Sequence, residues 1–161
     1  MKPVKLLILI IMLNGCVSVD LGPKKPTPAL GIKAEPPHSP FVKVTAENVD
    51  AIWRNPKNGN AISYLSDCND ASDPSLSAIE QGVLSGLYPY TYWSQKEITY
   101  QWRGARRVQV KGQVDGVATL VDLLVFKRNN CIYVISYSGI EPAHTEDFSQ
   151  FETFLQRFRA P

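Results

Sequence analysis

The chain reads as an α+β protein: an antiparallel β-sheet flanked by helices, in a single domain. Three observations predict it. Short segments alternate apolar and polar residues with the period of a half-buried strand, as Ile98, Tyr100 and Trp102 do against Glu97, Thr99 and Gln101. Turn residues separate such segments, notably Asn58-Gly59, Asp115-Gly116 and Arg128-Asn129-Asn130. Two further stretches carry apolar residues at helical spacing.

The order along the chain is β-β-α-β-β-β-β-α. Residues 49–53 and 61–65 are apolar-rich runs around the turn-dense 54–60, where Asn58-Gly59 supplies the positive φ of a tight hairpin. Asp73-Pro74 opens a helix, the aspartate as cap and the proline at the first helical position. Leu76, Ile79, Val83, Leu84 and Leu87 then fall on one stripe, weakened by Gly82 and Gly86 at about 1 kcal/mol each, and Pro89 ends it. Strands follow around 97–102 and 107–114, each with one wet face. After the Asp115-Gly116 turn, 117–126 is apolar on both pleat faces apart from Asp122, as a central strand is. Residues 131–137 return beside it. The last helix starts at the cap residue Thr145, and Phe148, Phe151, Leu155 and Phe158 form its core-facing stripe.

The N-terminus carries a different message. Lys2 and Lys5 precede an apolar run over 6–13, long enough for a signal segment and too short to span a bilayer. Leu13-Asn14-Gly15-Cys16 closes it with a small residue before the cysteine. This resembles the lipobox of bacterial lipoproteins. The resemblance implies cleavage before Cys16, a diacylglycerol on its thiol and a fatty acyl group such as palmitate on its new amino group. Several chains together hold a protein on a membrane, where one gives only marginal binding. Val17, where enterobacterial-type inner-membrane lipoproteins carry Asp, favours the outer membrane, facing the periplasm. The full chain has 17 Lys+Arg against 15 Asp+Glu, and loss of Lys2 and Lys5 leaves 15 against 15. A neutral chain gives no electrostatic case for nucleic acid as a partner.

Pro23, Pro26, Pro28, Pro36, Pro37 and Pro40 crowd the next stretch. The composition predicts a loose tether. The expected organisation is therefore 1–15 signal peptide, 16–44 lipidated cysteine and tether, and 45–161 globular domain.

Within that domain, the paired segments around Trp53-Arg54-Asn55-Pro56 and Gly59-Asn60-Ala61-Ile62-Ser63, the helix after Asp73, the 117–126/131–137 hairpin and the Phe-rich closing helix are together similar to PsbP-like α-β-α sandwich proteins. That family includes small bacterial lipoproteins. The resemblance implies a protein that binds other proteins or assists membrane assemblies rather than an enzyme.

Cys68 and Cys131 remain besides Cys16. Both lie at strand ends, and in an oxidising periplasm they are expected to pair. Catalytic and cofactor motifs are missing from the sequence. His144 reads as a surface residue near a helix start. In the cluster Asp67, Asn69, Asp70 and Asp73, Ala71 occupies a ligand slot and the glycine of a calcium loop is missing. No cofactor and no metal are expected. The best candidate surface combines Trp93, Trp102, Arg103, Arg106 and Arg107, since arginine beside aromatics is the composition that interface hot spots favour. These readings make the chain a non-catalytic, periplasm-facing envelope lipoprotein that binds a protein of a transport or assembly system. The alternative is a carrier of lipid or another small apolar ligand.

Overall fold

The computed structural model describes residues 25–69 and 72–161. Cys16 and the lipobox lie outside the described residues. Seven strands form one antiparallel sheet: β1 (Val42–Val44), β2 (Ala51–Arg54), β3 (Ala61–Asp67), β4 (Thr91–Tyr100), β5 (Arg103–Val114), β6 (Val117–Arg128) and β7 (Cys131–Ile140), in the spatial order β1-β2-β3-β7-β6-β5-β4. Helix α1 (Leu76–Leu84) and helix α2 (Phe148–Arg157) cover its two faces.

Alternation along the central strands feeds both layers. On β6, Leu124 and Phe126 join Phe151, Phe154 and Phe158 of the α2 side, while Leu123 and Val125 join Leu84 of the α1 side. On β7, Tyr133, Ile135 and Tyr137 face α2 and Val134 faces α1. The apolar run predicted as a central strand is therefore buried on both sides. The whole is an α+β fold with helices on both sides of one sheet.

Three hairpins turn on two residues with positive φ, the geometry that matches the twist of paired strands. They are Asp115-Gly116, Asn129-Asn130 and Gln101-Trp102. The first two pairs were legible as turns. Gln101-Trp102 was expected to continue a strand. Its conformation is fixed from outside: the Gln101 side chain donates to the Phe158 carbonyl at 3.0 Å and accepts from the Ala160 N–H at 3.1 Å.

Both helix starts differ from expectation. Ser75, not Asp73, caps α1, accepting from the Ala78 N–H at 3.1 Å. Asp73 instead takes a positive φ of 44° and pairs with Lys127 at 2.6 Å. At the last helix, residues 144–146 form a single 3-10 turn, and α2 begins after Asp147. The chain leaves α1 through a 3-10 turn whose Leu87 presses on β5 at Gly112. A Cβ there would stand 2.7 Å from the Leu87 carbonyl oxygen.

The expected tether boundary at residue 44 is corrected by the structure. From Thr27 onward the chain is strapped to the domain. Thr27 N–H donates to Asp67 at 3.0 Å and its carbonyl accepts from Cys68 N–H at 2.9 Å. Ala29 N–H reaches Ser66 Oγ at 2.8 Å, and Lys33 and Arg159 exchange two backbone bonds. Ala29, Ile32, Ala34 and the buried Phe41 cover the α2-side core. Proline tolerates this role because an extended strap needs few of its own N–H groups. Its spaced apolar residues, not the prolines, decide that it packs.

Candidate functional site

The five residues of the expected partner surface do not converge. Arg106 and Arg107 are consecutive on β5, so their side chains leave opposite faces of the sheet. On the α1 face, Arg106 Nε meets the buried Glu80 at 2.7 Å and its Nη1 meets Glu97 at 3.0 Å. Glu80 also accepts from Tyr92 Oη at 2.7 Å and Gln95 Nε2 at 3.2 Å, which makes this cluster a closed structural bond set. On the α2 face, Arg107 pairs with Glu152 and stands 3.5 Å from Asp122 Oδ1. Trp102 sits at the β4–β5 hairpin tip beside the exposed Arg103, with 93% of its surface open. Trp93 lies toward the other end of β4, roughly 30 Å away at strand rise. No single basic strip is formed.

Trp93 has a separate role. The β4–β5 register shifts between Tyr92 and Ser94, and Trp93 is the extra residue of that bulge. A bulge re-aims side chains. Here Tyr92 and Gln95, three apart, both reach Glu80 on the α1 face, while Trp93 stands on the α2 face. It forms one wall of a pocket of about 300 Å³ whose other lining residues include Leu120, Asp122, Glu141, His144 and Phe148.

The floor of this pocket is polar and buried. Asp122 is fully enclosed. Its Oδ2 accepts from Gln109 Nε2 at 3.1 Å and lies 3.7 Å from His144 Nε2. Among the described residues its Oδ1 has only the charge contact with Arg107 and no hydrogen bond, and His144 Nε2 has none either. Burial pushes the Asp122 carboxyl up to about 6, against the opposing pull of Gln109 and Arg107. Burial also lowers the His144 imidazole below its ordinary value. At neutral pH the pair is therefore a carboxylate beside a neutral imidazole.

His144 was expected on the surface, and the structure buries it: its side chain is 8% exposed, between the rings of Tyr137 and Phe148. What brought it in is the β7 end and the following 3-10 turn. Sequence reasoning missed the site because Asp122 and His144 are 22 residues apart and share no motif. The lone charged residue in an otherwise apolar central strand was the one available signal.

Cys68 and Cys131 form a disulfide with Cα atoms 4.1 Å apart, closing the end of β3 to the start of β7. The acidic cluster is used internally. Asp67 accepts from Thr27 and Asn69 N–H groups, both at 3.0 Å, and Asp73 pairs with Lys127. Asp70 lies outside the described residues. Among the described residues no group of His, Cys, Asp and Glu is arranged to hold a metal ion.

Neither a protein-family model nor a curated protein matches the sequence. Solved structures do match the fold. LpqN of Mycobacterium tuberculosis, a protein involved in cell envelope biogenesis, superposes with a TM-score of 0.55 at 10% identity, over 79% of this chain and 81% of that one. PA94 of Pseudomonas aeruginosa, a protein of unknown function, gives 0.53 at 10% identity over 79% and 85%. The cyanobacterial PsbP protein CyanoP of Synechocystis gives 0.52 at 11% identity over 76% and 83%. At these identities the matches concern the fold alone, which is similar to that of the PsbP protein CyanoP.

Proposed function

We propose that this chain is a non-catalytic lipoprotein of a bacterial cell envelope, anchored through Cys16 in the outer membrane, facing the periplasm, and serving a membrane transport or assembly system by binding one of its proteins. The Leu13-Asn14-Gly15-Cys16 lipobox supports the anchor. The Cys68–Cys131 disulfide suits an oxidising compartment. The fold is shared with an envelope biogenesis protein.

The observation that carries the binding role is the edge of β4, which no other strand covers among the described residues. It is ten residues long and lies at the end of the sheet. Its start carries the exposed aromatics Tyr92 and Trp93, and the exposed Tyr88 lies just before it. An open strand edge offers unpaired N–H and C=O groups to a partner segment, and the aromatics supply apolar area for it. The opposite edge, β1, has three residues.

Photo-crosslinking in cells tests this. A photoreactive side chain at Lys96 on β4 is expected to capture a discrete envelope protein, and the same group at Lys43 on β1 is not. Absence of any adduct at Lys96 removes the docking role. Separately, Cys16→Ser is expected to release the protein from membranes; continued sedimentation with envelopes removes the lipid anchor.

A further inference from the structure

The pocket beneath Trp93 has an apolar wall and two buried polar atoms that make no hydrogen bond among the described residues. Such atoms are costly to leave unmet, and buried polar groups are normally paired. Asp122 Oδ1 accepts no hydrogen bond and has only the Arg107 guanidinium, at 3.5 Å, beside it. His144 Nε2 stands 3.7 Å from the other carboxylate oxygen. One small group seated between them meets both needs if it can donate to the carboxylate and also accept from the imidazole in the tautomer that protonates Nε2.

Charge narrows the choice. A cationic group would arrive beside Arg107, which already stands 3.5 Å from Oδ1. An anion would face Asp122 itself and Glu141 at the rim. An ether or ketone accepts and cannot donate. A neutral hydroxyl satisfies all these conditions.

Shape narrows it further. Leu120, Phe148 and Trp93 form the apolar lining, and Trp93, 72% exposed, stands at its open side. A volume of about 300 Å³ holds about ten non-hydrogen atoms at the ~30 Å³ that each water occupies in the liquid. The size matches the lower end of known ligand pockets.

We infer that this pocket binds the hydroxyl end of a small uncharged apolar molecule, the hydroxyl bridging Asp122 and His144 and the hydrocarbon lying under Trp93. The inference concerns the ligand-carrier alternative, and it can fail without the β4 docking role failing, because the two readings use different residues apart from Trp93.

The test uses the full chain as its Cys16→Ser variant in detergent-free buffer, followed by NMR. The probes are 1-octanol, heptyl methyl ether with the same number of non-hydrogen atoms, and octylamine. 1-Octanol is expected to shift the Trp93 indole and His144 imidazole signals saturably, and to bind at least tenfold more tightly than the ether or the amine. Asp122→Asn and His144→Phe are each expected to weaken 1-octanol about tenfold. The Trp53 indole, packed in the α2-side core, reports whether each variant remains folded, and a variant that does not is set aside because the probe comparison on the parent decides alone. No saturable shift, equal affinity for the ether, or tighter binding of the amine overturns the inference.

Discussion

Asn60 and Gly139 fit together as a side chain and the space left for it. A Cβ on Gly139 would stand 2.0 Å from Asn60 Oδ1. The fully buried Asn60 amide donates to the Ala143 carbonyl and to Asp147 Oδ2, both at 2.8 Å. Asn55 and Asn58 donate to the same Asp147 oxygen at 2.8 Å each. Three asparagines of the β2–β3 loop thus clasp the residue that precedes α2. Burial raises the Asp147 carboxyl, but the three amides outweigh it and hold the group below its ordinary value.

Gly139→Ala is therefore expected to expel the Asn60 amide and break the clasp. The loss is on the order of 2–4 kcal/mol, the range of an overpacked site combined with buried groups left unpaired. Urea unfolding measures it, and a loss below about 1 kcal/mol contradicts the fit.

Asp122 predicts a pH dependence of the opposite sign to that of a paired surface carboxylate. Its folded-state value is raised to about 6 from 3.8. The folded protein therefore holds the proton more tightly, and this contribution is complete below about pH 4 and lost as pH rises through 6. Burial is the main cause, opposed by Gln109 and Arg107 and reinforced by the charge of Glu152, while His144 and Glu141 also face the pocket. His144 acts in the other direction: its lowered value contributes stability above pH 6.5 that is lost as pH falls. Comparing the parent with Asp122→Asn isolates the carboxyl. The stability of the parent relative to the variant should fall by on the order of 2–3 kcal/mol between pH 4 and pH 7.5. A difference independent of pH shows that the carboxyl titrates as it would in water.

The disulfide spans a sequence separation of 63 residues. Restricting the unfolded chain by such a loop is worth about 4 kcal/mol in the entropy account. Cys68→Ser with Cys131→Ser, made on the Cys16→Ser background, should lose up to that amount. The unfolded, unreduced parent on that background should show no free thiol, and two titratable thiols would refute the pairing.

Phe41 tests where the domain begins. It is 7% exposed and packs in the α2-side core, although it falls inside the stretch whose composition reads as a tether. Phe41→Ala should cost about 3 kcal/mol in chemical denaturation, as a large core truncation does. An unchanged midpoint returns the residue to a solvated linker.

The frame of this fold was legible because period and turn chemistry are local. The stripe Phe148, Phe151, Leu155 and Phe158 announces a buried helix face, and Asp115-Gly116 and Asn129-Asn130 carry the residues that positive φ favours. Gln101-Trp102 carries neither signal, since tertiary bonds to residues 158 and 160 impose its conformation. The strap was hidden for a related reason: proline content dominates its composition, while Ala29, Ile32 and Phe41 find their partners only once the sheet exists. At the site, the alternation of Arg106 and Arg107 could have separated them by face. The bulge that turns Trp93 toward the pocket shifts the alternation by one residue, but the largely exposed first half of β4 carries no apolar alternation in which that shift could be read. His144 is buried by the path of β7 and the 3-10 turn after it, which no local spacing encodes.

The strap also sets how mechanical load enters the molecule. Tension drawn through the N-terminal segment arrives first at Thr27, which is bonded to Asp67 and Cys68. Cys68 is covalently joined to Cys131, so β3 and β7 stay joined at the corner that receives the pull. The hydrogen bonds of Thr27, Ala29 and Lys33 are what such a load would part in turn, which makes the strap the element that yields.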